Sequence, residues 1–589
     1  MKRTFLLLLI FVLPLLTGCE EDVNKPTIEI ETGFPADRDK EFDRGSAVSF
    51  PELNGQLTDN LELLGRIWGF LKYHHPEVGK GNYNWDYELF RVLPEYLKAT
   101  NNTERDRILL DWINKYGEIP ACKTCRETNP DAYIKPDHLW IENGAMNNTL
   151  KAKLKDIYQN RHQGDHYYIQ IQKGLLYPLQ FLHEREYSYM DFPDTGFRLL
   201  ALYRYWNMIQ YFCPNKYLTD KNWNDILQEY IPLFISVTNR LEYELVVLQL
   251  IGEINDSHAA GGLKGFDRVE ESKGNNYAPF RVWFIEGKLV VTDYYNPEYK
   301  ALSGLEIGSI ITHINGEAVE SIVDAMKKYY SASNKAAGLR DMSFDLLLRS
   351  KNNSVTINYE SPGQSGQKDL HLFDAHSLNR YYGFKVSPND QCFKFLDRNI
   401  GYITLAAPMK DDDVESIKNA FQHAKGIIID IRNYPYSESS YFALFSYNVS
   451  SSTTFVKFSY GNVDNPGEFF FNEDQSIFPG NVTYQGKLIV LVNEITQSQA
   501  EWATMAFRAC DNSTIIGSTT AGADGNVSYI ELPGGLKTRI SGLGVYYPDG
   551  TETQRIGIVP DVWVEPTIEG IRQGRDELLE MAIKLINEE

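Results

Sequence analysis

KLIVLVNEITQSQAEWA, residues 487–503, reads as a buried strand that runs into a helix. Lys487 to Asn493 is a near-continuous apolar run of strand length, and Ser498 follows after a short connection. From Ser498 onward the pattern turns helical, with Ser498 and Glu501 at the spacing of a capping box. Such a cap stabilises a helix start by about 1 kcal/mol. The same position sets a hydroxyl beside unpaired N–H groups at the positive end of a helix, which suits an oxyanion forming on a substrate carbonyl.

Outward from this stretch, strands and helices alternate. Ile400 to Leu405 is a predicted strand, Asp413 to Ala424 a helix, and Gly426 to Arg432 a buried strand. After a helix over 498–510 comes the strand Ser513 to Gly517. This alternation predicts an α/β layered domain over 371–570, with a C-terminal helix in 571–589. The preceding region, 276–370, is strand-rich. Arg281 to Ile285, a turn at Gly287 and Leu289 to Thr292 lead into Gly304-Leu-Glu-Ile-Gly308-Ser-Ile-Ile-Thr-His-Ile-Asn-Gly316, which ends in a hairpin signal.

Residues 51–275 form a helical region with an internal repeat (about 55–125 and 193–262). Trp68, Tyr73, Pro76, Asn84-Trp85 and Pro94 recur 138 residues later as Trp206, Tyr211, Pro214, Asn222-Trp223 and Pro232. Each copy opens on a helical apolar period. After Gly117-Glu118-Ile119 the first copy continues Pro120-Ala121-Cys122-Lys123. After Gly252-Glu253-Ile254 the second continues Asn255-Asp256-Ser257-His258. A histidine added to one copy of a structural repeat is a candidate for chemistry. His74-His75 lie within the repeat, where stacking or capping is the expected role, and no third metal ligand accompanies them.

The ordered set from Gly304–Gly316 through Ile429-Asp-Ile-Arg-Asn-Tyr-Pro435, the Ser498 stretch, Ile516-Gly-Ser-Thr-Thr-Ala-Gly522 and Gly557-Ile-Val-Pro-Asp561 resembles the tail-specific, or C-terminal processing, serine peptidases. The resemblance covers roughly 278–570. It implies a multidomain α/β protein: a duplicated N-terminal helical domain, a PDZ-like β module and a crotonase-like (ClpP/crotonase) catalytic domain. It makes Ser498 the nucleophile and Glu501 its helix-start acid, with backbone N–H groups of Gln499 and of the loop at Tyr436 as oxyanion donors. Ala523 stands where relatives using a Ser–Lys dyad carry the lysine, and Tyr436-Ser437 replaces their Gly-Gly pair. A serine needs a base. Ser257-His258 is similar to an element of the tricorn-core branch, which places a Ser-His pair ahead of the PDZ-like module, so His258 is the expected general base with Ser257 in support. That branch carries a Glu before its Gly-Val-x-Pro-Asp run; here Gln554, and after it Glu552, are the candidates for the third member. A base of this kind predicts a rate rising through an ionisation at about 6–7. No cofactor or metal is expected. The competing reading is an inactive binding protein for a peptide or hydrophobic ligand on the same scaffold.

Met1-Lys-Arg followed by the apolar Phe5–Leu16 and by Leu16-Thr-Gly-Cys19 resembles a bacterial lipoprotein signal, with Cys19 as the lipid attachment point. The expected address is the Gram-negative envelope, anchored to the outer membrane. The acidic stretch within 19–50 reads as a solvated tether. A formal charge of −21 argues against nucleic acid and against an anionic membrane surface as partners; a polypeptide substrate is what the peptidase resemblance implies. Cys122 and Cys125 read as a local disulfide, Cys392 and Cys510 as small core residues.

Overall fold

The structure is a computed structural model that describes residues 33–171, 177–387, 389–397, 399–437, 440–472 and 474–588. The leader and Cys19 lie outside the described residues.

The repeat is a pair of three-helix units. Gly55–His74, Trp85–Tyr96 and Asn102–Asn114 correspond to Thr195–Phe212, Trp223–Ser236 and Arg240–Gly252. The caps repeat as well: the side chains of Asn101 and Asn239 accept from the N–H groups of Glu104 and Glu242, both at 3.0 Å. In each copy two buried tryptophans exchange hydrogen bonds from indole to backbone. Trp68 and Trp85 do so at 2.9 and 2.8 Å, Trp206 and Trp223 at 2.9 and 3.1 Å. An indole N–H buried in a core needs an acceptor, and this exchange supplies one at each end. His74 stacks on Phe70 with centroids 4.4 Å apart, and His75 caps the short helix Pro76–Gly79. Cys122 and Cys125 form a disulfide, while Cys213, Cys392 and Cys510 are free and buried.

The described part of the acidic tether, 33–50, departs from expectation. It packs on the helical domain because its charges find partners: Asp39 and Glu41 pair with Arg91, and Asp37 and Asp43 accept from Tyr167 and Tyr87.

The β module has strands Phe280–Ile285, Lys288–Tyr294, Ile310–Ile314, Ser354–Ser361 and Gln364–His371, with Phe280–Ile285 at one edge beside the helix Lys335–Asp345. The third unit is built on a sheet ordered Phe393–Asp397, Ile400–Thr404, Gly426–Asp430, Lys487–Val492, Ser513–Gly517 and Val562–Trp563, parallel after its first pair. Gly426–Asp430 is buried at every residue, as its unbroken apolar run requires. The C-terminal helix Glu577–Asn587 covers one face of this sheet, Ala582 and Ile586 packing with Ile400, Ile428 and Ile489.

One hairpin leaves this unit. Val527–Leu532 and Leu536–Ser541 pair antiparallel, and Ile530, Leu532, Leu536 and Ile540 join the core of the helical domain. This places the end of the hairpin, Ser541, against the helical turn Ser257–Ala260.

Candidate active site

Ser498 occupies the N-cap of the helix Gln499–Arg508 with φ 58° and ψ −124°. A positive φ at a residue with a side chain costs roughly 1–3 kcal/mol and persists only where the surroundings enforce it. The enforcing bonds are two: Ser498 N–H donates to the carbonyl of Ala523 at 2.8 Å and to Glu501 Oε2 at 3.2 Å. Glu501 is fully buried and also accepts from the Thr520 hydroxyl and from the N–H groups of Gly522 (2.8 Å) and Ala523 (3.0 Å). The Ser-x-x-Glu motif is thus more than a cap: its acid ties the serine to the loop 520–523.

The β module steadies the approach to Ser498. Arg340, on the helix Lys335–Asp345, donates to the carbonyl of Glu494 at 2.7 Å and to Gln497 Oε1 at 2.9 Å. Trp283, on the edge strand, donates its indole N–H to Glu494. On the other flank, Arg432 is clamped by Asp430 (2.6 and 3.0 Å) and Asp576 (2.7 and 2.8 Å). The Ile-Asp-Ile-Arg run therefore serves as a buried ionic pillar.

His258 is 2% exposed. Its Nδ1 lies 2.8 Å from Ser541 Oγ, and Ser541 Oγ lies 3.0 Å from Asp256 Oδ1. Asp256 further accepts from the N–H groups of Ser541 (2.6 Å) and His258 (3.0 Å). Proton counting assigns the tautomer: a hydroxyl has one hydrogen, and the carboxylate can only accept. Ser541 therefore donates to Asp256 and accepts from Nδ1–H, leaving the lone pair on Nε2. That Nε2 is buried and has no hydrogen-bond partner among the described residues. Burial holds the imidazole down to about 4, against the upward pull of Asp256 and with Arg539 and Arg340 adding to the depression. The ionisation expected at about 6–7 is moved by desolvation.

The other expected residues differ in their surroundings. Glu552 accepts from Tyr217 (2.7 Å) and Tyr133 (3.4 Å), in an aromatic cluster with Phe471 and Tyr546. Gln554 is buried, but the imidazole's partner is Ser541 and not Gln554. The N–H of Tyr436 is spent on the carbonyl of Leu405 at 2.8 Å, so this amide does not face an oxyanion. Gln499 directs its side-chain amide to the Tyr441 hydroxyl at 2.9 Å. Ser257 exchanges bonds with Ser333, N–H to Oγ in both directions at 2.9 and 2.8 Å, which locks the His258 turn to the β module. Asn334 then donates to the carbonyl of Thr520 at 2.8 Å, so the turn bearing His258 and the loop behind Ser498 share one framework. Among the described residues no group of three or more His, Cys, Asp or Glu side chains could hold a metal ion.

Residues 399–564, the stretch that includes Ser498, match the family described as peptidase family S41. Among solved structures, a serine-to-alanine mutant of CPAF is 15% identical with a TM-score of 0.54, covering 67% of this chain and 98% of that one. Mature CPAF complexed with lactacystin gives 14% and 0.50, with coverage of 67% and 98%. The tricorn protease gives 17% and 0.32, over 72% of this chain and 38% of that one. The CPAF likeness shows a shared fold over about two thirds of this chain. No curated protein matches the sequence.

Proposed function

We propose that this protein is a serine endopeptidase that hydrolyses polypeptides through an acyl-enzyme on Ser498, with His258 as general base. Two observations carry the reading: a strained serine at a helix N-terminus, and a buried histidine whose Nδ1 is held by Ser541 and Asp256. Ser498 Oγ attacks the scissile carbonyl carbon as its proton passes to His258 Nε2. The resulting imidazolium is stabilised by Asp256 through Ser541 and returns the proton to the leaving amine. Water, deprotonated by the same Nε2, then cleaves the ester and frees Ser498. Nε2 has no hydrogen-bond partner among the described residues, which leaves its lone pair available to the Ser498 hydroxyl. The PDZ-like module docks the polypeptide, and the lipid at Cys19 holds the enzyme at the outer membrane of a Gram-negative envelope.

A fluorophosphonate probe tests the assignment. Wild type should label; Ser498→Ala should abolish the signal and His258→Ala should slow it by about 10²–10⁴-fold. A folded wild-type protein that takes up no probe would sink the reading.

A further inference from the structure

Beneath the Ser498 turn lie two buried carboxyls, Glu501 at 0% and Asp524 at 3% exposure. All the donors to Glu501 named above are neutral, and among the described residues Asp524 receives only the N–H of Gly525, at 2.6 Å on Oδ1. Asp524 Oδ2 is buried and has no hydrogen-bond partner among the described residues. Two carboxylates enclosed in this way, with no cation bonded to either, cannot both be ionised. Glu501, with four donors, keeps the charge; the proton belongs on Asp524, whose second oxygen nothing else satisfies.

We propose that Asp524 is a positioning residue that stays protonated at neutral pH, its neutral carboxyl allowing ionised Glu501 to hold the Ser498 turn. This rests on the reading of Ser498 as nucleophile. The link is short: Asp524 follows Ala523, whose carbonyl takes the Ser498 N–H and whose own N–H goes to Glu501. Loss of the Asp524 proton would set like charges against each other on either side of that turn. Burial, then the Glu501 charge, push the Asp524 carboxyl well above the usual carboxylate range, and burial also raises Glu501. The other titratable groups that sense Asp524 are Tyr441, before the helix Phe442–Tyr447, and Tyr547, after the strand Gly544–Tyr546. Burial raises both phenols, so neither supplies a charge near neutrality; Arg508 and Asp561 act on Tyr547 from beyond it.

The test uses Asp524→Asn, which copies the neutral carboxyl. In a Ser498→Ala background, thermal stability is measured from pH 5 to pH 9. The native state holds a proton that the unfolded chain has released above about pH 4, so wild-type stability falls as pH rises. Asn carries no such proton, and its Tm advantage should grow with pH. A Tm deficit that deepens with pH, or a difference that does not change with pH, overturns the proton assignment. With Ser498 present, the alkaline loss of fluorophosphonate labelling should move up by about one pH unit or more in Asp524→Asn. An alkaline limb that does not move overturns the positioning role. The expected thermal result with no labelling of either protein rejects the nucleophile reading and leaves the proton on Asp524.

Discussion

Ser541 Oγ sits 2.8 Å from His258 Nδ1, although 283 residues separate the two in the chain. The contact joins the end of a hairpin from the C-terminal α/β unit to a turn of the helical repeat, and Asp256 completes it from the same turn as the histidine. In geometry, a hydroxyl is interposed between the carboxylate and the imidazole.

Ser541→Ala should slow fluorophosphonate labelling of Ser498 by at least tenfold, a share of the roughly 10²–10⁴ that a positioned base contributes. Asp256→Asn should do the same. Glu552→Gln, acting on a tyrosine cluster, should stay within about twofold. Equal losses in Glu552→Gln and Ser541→Ala would contradict the placement of the base.

The labelling rate should rise with pH through an apparent ionisation at about 4, because burial lowers His258 to that value. The unfolded imidazole takes up its proton at about 6.5, the folded one only at about 4. The contribution of His258 is therefore fully present above about 6.5 and drains as pH falls toward 4. A labelling midpoint at 6–7 would show a solvated imidazole.

Arg432→Gln strands Asp430, itself fully buried, with the Tyr402 hydroxyl at 2.8 Å and no cation. Removing one member of a buried pair costs about 3–5 kcal/mol. Denaturant unfolding of the Ser498→Ala protein should show a loss of that size, and Asp576→Asn a smaller one, since Asp576 is more exposed than Asp430.

Trp85→Phe and Trp223→Phe remove equivalent indole donors and should each cost about 1–3 kcal/mol. Calorimetry that finds one neutral and the other damaging would mean that the two helical units no longer use the same core.

The repeat was legible because its tryptophans, prolines and caps recur at one offset and do the same work in both copies. Lys487–Val492 and Ser513–Gly517 were legible as apolar runs of strand length. Ser541 was not, since a polar residue at the end of an amphipathic hairpin carries no local mark of a partner 283 positions away. Asp256 did leave a trace. It lies two residues before His258 at the start of a short helix, where an Asp is expected as cap, and its second oxygen was free for other use. The strain at Ser498 was hidden by a motif that an ordinary cap explains. The fate of the Tyr436 amide depended on Leu405, a contact between loops that no period predicts.

The hairpin Val527–Ser541 gives synthesis and competence different schedules. The ribosome delivers His258 long before Ser498, and Ser541 later still, so a nascent or half-unfolded copy holds an imidazole whose orientation nothing fixes. Only when four apolar residues of the last-made unit enter the core of the first-made one does the hydroxyl reach Nδ1. Completion of the fold is thus what gives the imidazole its fixed orientation.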